Sequence, residues 1–431
     1  MQTRFSAEAL ADPDTANSET VIRSCVHCGF CTATCPTYVL LGDERDSPRG
    51  RIYLIKEMLE TGADPTPQVV KHVDRCLSCL SCMTTCPSDV NYMHLVDHAR
   101  AHIEERYRRP LQERLLRRLL AEVLPHRGRF RLALALARLA KPAAALLSRS
   151  APLKPVAAML DLAPARVPVA PRIEATPRPE APRGRVILSQ GCAEPVLRPE
   201  IREATMRLLQ RAGYEVVLAK GEGCCGALVH HMGRKPDALS AARRNVDAWT
   251  AVAEEQAVDA ILITTSGCGT SIKDYGFLLR DDPAYADRAA RVSGLAKDIT
   301  EFLDSQAFVA AHAPEPLRVA YHAACSLQHG QRVKDAPKRL LSGAGFEVVT
   351  PREAHLCCGS AGVYNILQPG IAAAIGARKV ANLEDLSADV IATTNIGCAT
   401  QIGLRTKTPV VHIIELLDWA CGGPRPLSLR K

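Results

Sequence analysis

The sequence predicts an α+β chain: an α-helical N-terminal region organised round clustered cysteines, then two repeated α/β units with parallel sheets. Two observations carry this. Eight cysteines fall in two runs of identical spacing, CVHCGFCTATCP (Cys25, Cys28, Cys31, Cys35) and CLSCLSCMTTCP (Cys76, Cys79, Cys82, Cys86). From Val186 onward the chain repeats itself. VILSQGC, ending at Cys192, matches VAYHAAC, ending at Cys325; AGYEVVLAKGEGCCGALV matches AGFEVVTPREAHLCCGSAGV; DAILITTSGCGTSIKDYG matches DVIATTNIGCATQIG. In both copies β-branched runs alternate with helical stretches such as PEIREATMRLLQRAG, the pattern of βαβ units round a parallel sheet.

A chain of 431 residues exceeds one ordinary domain. The expected division is 1–105, cluster-bearing; 106–185, helical and basic, then a proline-rich linker; 186–312, first repeat; 313–431, second repeat. Apolar residues at 47% and charged residues at 23% suit a globular protein with a sizeable core. Aromatics at 4% and a net charge of +8 argue against a nucleic-acid partner. The N-terminal stretch MQTRFSAEALADPDT has no apolar run of the secretory type, so a cytoplasmic location is expected. There the 17 cysteines are better metal ligands than disulfide partners. The most apolar segment, Phe130 to Leu147, is interrupted by Arg131, Arg138, Lys141 and Pro142 and cannot span a bilayer cleanly. The chain should be soluble or peripheral on the inner membrane. The basic stretch Arg106 to Arg149 is a candidate contact with that surface or with a partner protein, and an ordinary solvated, packed helix is the alternative. The stretch from Pro164 to Arg185 reads as an extended, semi-rigid spacer.

Each N-terminal run is C-x-x-C-x-x-C-x-x-x-C-P, the pattern of a two-cluster [4Fe–4S] protein. Three closely spaced thiolates wrap one face of a cubane, and the fourth, after a longer step, reaches the other cluster. One cluster should therefore take Cys25, Cys28, Cys31 and Cys86, and the other Cys76, Cys79, Cys82 and Cys35. Structural zinc is the competing reading, but zinc sites more often split into two C-x-x-C knuckles. Between the runs, Ser47 followed by Pro48 marks a helix start that places IYLIKEML over the clusters. Arg49 and Arg51 are expected to be solvated, with tuning of the clusters or a partner contact as the alternative. His27 should be exposed. His94 and His98 share a helical spacing but lack a third ligand candidate.

In the repeats, Gly221 to Gly226 read GEGCCG, formally G-x-G-x-x-G after a strand-like run. A dinucleotide turn needs its early glycines, yet the second copy has AHLCCG, with Ala354 and Leu356 in their places. Cys-Cys-Gly is what recurs. Each copy thus carries four thiols, Cys192, Cys224, Cys225 and Cys268 in one and Cys325, Cys357, Cys358 and Cys398 in the other. They are expected in loops at the carboxyl ends of strands, with Gly226 and Gly359 turning the chain away from a bulky group.

At these residues the chain resembles the iron–sulfur oxidoreductases that join an N-terminal two-cluster ferredoxin domain to two cysteine-rich CCG domains. Within that group CVHCGFCTATCPTY, LLGDERDSPRGRIYLIKEMLE and HLCCGSAG are most similar to the glycolate oxidase (glycolate dehydrogenase) iron–sulfur subunits. The resemblance implies two [4Fe–4S] clusters, one or two further clusters in the CCG repeats, and flavin-containing partner subunits that oxidise glycolate to glyoxylate. Electrons would pass from the flavin through this chain to a membrane acceptor, quinone. Iron–sulfur subunits of lactate or anaerobic glycerol-3-phosphate dehydrogenases, and a stand-alone enzyme like heterodisulfide reductase, are the rival readings. The chain departs from the heterodisulfide reductases, where a fifth cysteine ends the CCG motif; here Ser271 and Gln401 occupy that place. A conventional cluster per repeat and one joint site at the repeat interface both stay open. No flavin signature, catalytic base or P-loop is visible, so the catalytic residues are not assigned. His322 and His355 near the second-repeat cysteines are expected to be satisfied structural histidines, with proton donation or ligand orientation as the alternative.

Overall fold

A computed structural model describes residues 1–164, 167–168 and 181–430; most of the proline-rich stretch read as a spacer lies outside the described residues. The C-terminal half contains two four-stranded sheets of identical order, β2-β1-β3-β4 and β6-β5-β7-β8, parallel throughout. The first is β1 Gly184–Leu188, β2 Tyr214–Val217, β3 Ala260–Ile263 and β4 Ala296–Asp298. The second is β5 Arg318–His322, β6 Glu347–Val349, β7 Val390–Thr393 and β8 Val410–His412. β3 (AILI) and β7 (VIAT) are buried along their whole length, as strands covered by helices on both faces must be. After β1 the chain winds to one side of the sheet and then returns to the other side for β3. A crevice therefore opens between the carboxyl ends of β1 and β3, and likewise of β5 and β7.

The two copies share one core. Val186, Leu188 and Leu262 from the first sheet lie in the same buried cluster as Tyr321, Val390 and Val411 from the second. The helices Pro199–Arg211 and Ile413–Ala420 pack against each other across the join, as do Ile299–Ser305 and Ala336–Gly343. That shared core fixes how the two crevices face each other.

β4 and β8 each run directly into a helix through a capping box. Asp298 accepts from the Thr300 backbone N–H at 2.8 Å. In the second copy the Nδ1 atom of His412 accepts from the Ile414 N–H at 3.2 Å, while its Nε2 donates to the Thr264 carbonyl at 2.9 Å across the join. One ring nitrogen accepting and the other donating requires a neutral imidazole. Burial accordingly holds His412 down at about 4.

The N-terminal region packs helices Pro13–Ser24, Pro48–Thr61, Pro67–Asp74 and Tyr92–Arg106 round Ile22, Ile55, Val73, Leu95 and Ile103. The helix from Pro48 starts as the sequence predicts, with Ser47 Oγ accepting from the Gly50 N–H at 3.0 Å. Arg51 departs from expectation. It is 1% exposed, because the helical period sets it beside Ile52 and Ile55 on the inner face. Its Nε donates to the His72 carbonyl at 2.6 Å, and its Nη2 donates to Thr37 Oγ1 at 3.0 Å and to Asp46 Oδ1 at 3.3 Å. Buried Asp46 also accepts from Arg75 at 2.8 Å. Arg49 remains on the outer face, paired with Glu44.

Helices of the 106–164 segment are packed against the repeats. Leu120 and Ala121 of Leu111–Val123 enter a buried cluster with Val229 of the first repeat and Val363 and Ile366 of the second. Arg117 of the same helix and Arg109 just before it pair with Asp74 at 3.1 and 2.6 Å.

Two outcomes follow. Asp46→Ala strands Arg51 without its buried counter-charge and should cost about 3–5 kcal/mol, read as a lower urea midpoint. As pH falls from 6.5 towards 4, the unfolded chain gains a proton that native His412 refuses, so stability should fall through that window by up to about 3 kcal/mol. His412→Asn, which keeps a capping side chain, should flatten that slope in urea titrations at several pH values.

Candidate metal centres

Cys25, Cys28, Cys31 and Cys86 line one cavity in the N-terminal region, with Cys82 in its wall and Ile52 and Tyr92 beside it. The last cysteine of the second run thus lines the same cavity as the first three of the first run. Cys28 is exposed, flanked by Val26 (67% exposed) and Phe30 (63%). Gly29, at φ +87°, lets the chain wrap the cavity and leaves room for the Arg49 guanidinium, which a Cβ there would strike at 2.4 Å. His27 is exposed, as expected.

Cys35, Cys76, Cys79 and Cys82 are buried. Burial pushes Cys79 and Cys82 well above their ordinary values, reinforced for Cys79 by Cys325 of the second repeat and for Cys82 by Cys79 and Cys76. Arg51 Nη1 reaches Cys35 Sγ at 3.8 Å, and Arg100 donates to the Cys76 carbonyl at 2.6 Å. Two buried cations therefore stand against this group, which offsets the charge that thiolate-bound iron would bring.

All eight cysteines of the repeats line a single cavity of about 320 Å³. Cys192 follows β1, and Cys224 and Cys225 follow β2; Cys325 follows β5, and Cys357 and Cys358 follow β6. Cys268 and Cys398 are not in loops, as expected from sequence, but in the first turns of helices Ser266–Lys273 and Ile396–Gly403. The chain passes from strand to helix almost without a connection, and Asn395 Oδ1 caps the second of these helices, accepting from the Gly397 N–H at 2.8 Å. A helix N-terminus favours the thiolate form.

Within each set the thiols touch in sequence. Cys325 Sγ stands 3.7 Å from Cys357 Sγ, and hydrogen bonds continue through Cys358 to Cys398. The first set runs Cys192, Cys224, Cys225, Cys268 in the same way. Its hydrogen bonds from Cys192 and Cys225 pull Cys224 well down, whereas the bond to Cys357, together with burial, pushes Cys325 well up. Such buried, water-poor thiols become ligands when a soft metal displaces the protons they still carry. The donor sets therefore fit iron–sulfur chemistry.

The join between the repeats floors the cavity. Ser266 Oγ and Ser326 Oγ are 2.8 Å apart, Asn395 Nδ2 donates to Ser266 Oγ at 2.9 Å, and Gln331 Nε2 donates to the Ser266 carbonyl at 2.9 Å. Gly226 and Gly359 have φ of +84° and +85°, and a Cβ on Gly359 would sit 2.6 Å from the Ala372 carbonyl. A Cβ on Gly221 would meet nothing within 4 Å. The steric need for glycine is therefore at the CCG glycine and not at the head of a dinucleotide turn.

The far wall comes from elsewhere in the chain: Leu124, Phe130 and Leu134 from the 106–164 segment, and Leu80, Met93 and Asp97 from the N-terminal region. His231 Nδ1 lies 3.1 Å from Asp97 Oδ1. His94 and His98 have separate partners: His94 meets Asp274 at 2.9 Å and stacks on Phe277, while His98 meets Ser18 at 2.7 Å. Leu77 and Cys79 pack in one cluster with Cys357 and Tyr364, with Cys325 against it. This joins the N-terminal region to the second repeat directly. The Tyr364 hydroxyl donates to the Arg75 carbonyl at 3.0 Å across the same boundary.

Of the two histidines near the second set, His355 is half-buried, and its carbonyl accepts from His329 Nε2. His322 is not the satisfied structural histidine expected: it is buried, and neither ring nitrogen has a hydrogen-bond partner. Sequence reasoning also missed Lys379, buried, whose Nζ donates to the Glu353 carbonyl at 2.7 Å. Its helical position opposite Asn245 of the first repeat was the available signal.

Fold and site together define an iron–sulfur protein with a two-cluster ferredoxin-type module and a duplicated cysteine-rich domain. Comparison with known families agrees: a 4Fe-4S dicluster domain matches residues 24–90, and the cysteine-rich domain CCG matches 186–273 and 319–403. The chain is 41% identical over 97% of its length to the glycolate oxidase iron-sulfur subunit of Escherichia coli (strain K12), covering 99% of that protein. It is 32% identical over 93% of its length to the "Probable glycolate oxidase iron-sulfur subunit" of Bacillus subtilis (strain 168), covering 94% of it. The chain belongs to the glycolate oxidase iron–sulfur subunit family. Lactate utilization protein A of Bacillus licheniformis is 28% identical over 54% of this chain and 99% of its own. In fold, the chain is similar to a hypothetical protein from Helicobacter pylori (TM-score 0.55, 12% identity, 97% of this chain and 74% of that one).

Gly359→Ala should cost about 2 kcal/mol or more, from left-handed strain plus the carbonyl clash, while Gly221→Ala, with strain alone, should cost less. Urea unfolding of the two variants checks the order.

Proposed function

We propose that this chain is the electron-transfer subunit of a flavin-dependent glycolate-oxidising complex. It takes electrons from flavin-bearing partner subunits and delivers them to a membrane acceptor, quinone. One observation carries the reading: thiol groups run from an exposed end at Cys28 to a buried contact between Cys79 and Cys357. Cys25, Cys28, Cys31 and Cys86 hold the entry cluster, and Cys76, Cys79, Cys82 and Cys35 the second. The four thiols of each repeat hold the terminal centres. When bound, these clusters supply one-electron carriers; the chain's own part is to position them, exclude water and balance their charge through Arg51 and Arg100. The exposed pair Val26 and Phe30 is the docking surface for the flavin partner, an apolar patch at the electron entry.

The acceptor end is supported by the wall of the large cavity. Its lining is mainly apolar, and the paired Asp97 and His231 stand in it as polar groups. The helices that roof it expose Leu132, Leu136 and Leu139 on their outer side, with Arg138 exposed among them, which suits docking at a membrane surface. Among the described residues no helix is long and apolar enough to cross a membrane. Domain limits of 1–105, 106–185, 186–312 and 313–431 go with this division of labour.

The deciding experiment removes this chain from cells that keep the flavin subunits. Glycolate-driven quinone reduction should disappear, and its persistence would overturn the assignment. In the purified complex, Phe30→Glu should slow glycolate-driven cluster reduction by about tenfold or more, the loss of one interface hot spot, with iron content unchanged.

A further inference from the structure

We propose that His322 is a nitrogen ligand of the second repeat's metal centre, so that this centre is a mixed thiolate–imidazole site while the first repeat's is thiolate only. The inference rests on the reading that the repeat cysteines hold iron–sulfur centres. His322 is the last residue of β5, at the carboxyl end where the thiols gather. It is 1% exposed. One ring nitrogen of His322, Cys358 Sγ and Cys398 Sγ all lie within 4.8 Å of one another. Donors on one tetrahedral metal stand about 3.5–4 Å apart for bonds of about 2.0–2.3 Å, so a small contraction brings the three into one coordination shell.

Nothing else in the fold employs this imidazole. Both ring nitrogens lack a hydrogen-bond partner among the described residues, a costly arrangement for a buried polar group. Metal ligation satisfies one of them.

The duplication supplies the contrast. The matching position in the first repeat, VILSQGC against VAYHAAC, is Ser189, so only the second centre has a nitrogen donor there. Gln401, which stands where a fifth cysteine would close the motif, is engaged elsewhere. Its Nε2 donates to the Ala372 carbonyl at 3.3 Å, and its Oε1 accepts from Asn365 at 3.2 Å. The extra donor of the second repeat therefore comes from β5. An imidazole is a neutral donor, so at position 322 it adds a ligand to the second centre without the negative charge that a thiolate there would bring.

The test is pulsed EPR on the anaerobically purified complex, poised reductively, from cells grown with and without 15N-histidine. A nitrogen coupling of ligand size that changes with the isotope in the wild-type complex, and disappears in His322→Ser, supports the proposal. No such coupling, or one that survives the substitution, overturns it. Should His322→Ser lose the centre altogether, His322→Cys decides: iron content should be kept, the histidine coupling lost and the midpoint potential of one centre lowered. An unshifted potential in that variant counts against the proposal. Iron analysis separates the two failures. No iron beyond that of the N-terminal clusters would sink the repeat-cluster reading itself, whereas extra iron without histidine coupling would sink this inference alone.

Discussion

The contact of Leu77 and Cys79 with Cys357 and Tyr364 is the interaction on which the rest of the molecule depends. It brings a buried thiol of the ferredoxin-type module against a buried thiol of the second repeat. A dry, apolar contact of this kind holds two redox groups at a fixed separation and excludes water between them. The boundary is reinforced by polar bonds on either side, Tyr364 to the Arg75 carbonyl and Thr84 to His329 at 2.7 Å. On the first repeat, His94 and Asp274 pin the same module in place. The N-terminal region is thereby held against both repeats and not tethered to them by a linker alone.

Duplication then shapes what that contact reaches. Because the sheets share one core, the carboxyl ends of both face one cavity, and eight thiols converge there. A single copy would leave its crevice open to water on one side. The copies are nevertheless unequal. The first offers Ser189 and Asn245 where the second offers His322 and Lys379. At these two positions the second copy carries an imidazole and a cation where the first carries neutral polar side chains, and it lies against Cys79.

The cysteine runs were legible in the sequence because cluster ligation constrains spacing directly. The repeat was legible because the two copies still align at Cys-Cys-Gly. Ser47 and Pro48 announced their helix for the same local reason. Arg51 was misread because a charged residue is ordinarily solvated, and its burial is compensated by Asp46 and Thr37, which approach from a different turn of the chain. Cys268 and Cys398 were assigned to loops because no residue marks how abruptly β3 and β7 become helix. The lack of any partner for His322 is a property of everything around it and has no signature in VAYHAAC.

By itself, then, the sequence determined the chemistry and the count: two four-thiol runs, two matching thiol sets, and parallel α/β units to carry them. These follow from spacing and periodicity, which act over short stretches of chain. Only the tertiary structure decided that the repeats open on a common cavity and that Cys79 packs in one buried cluster with Cys357. Each of these joins residues far apart in the chain, and their approach is set by the packing of a shared core and the compensation of buried charge, which no local pattern encodes.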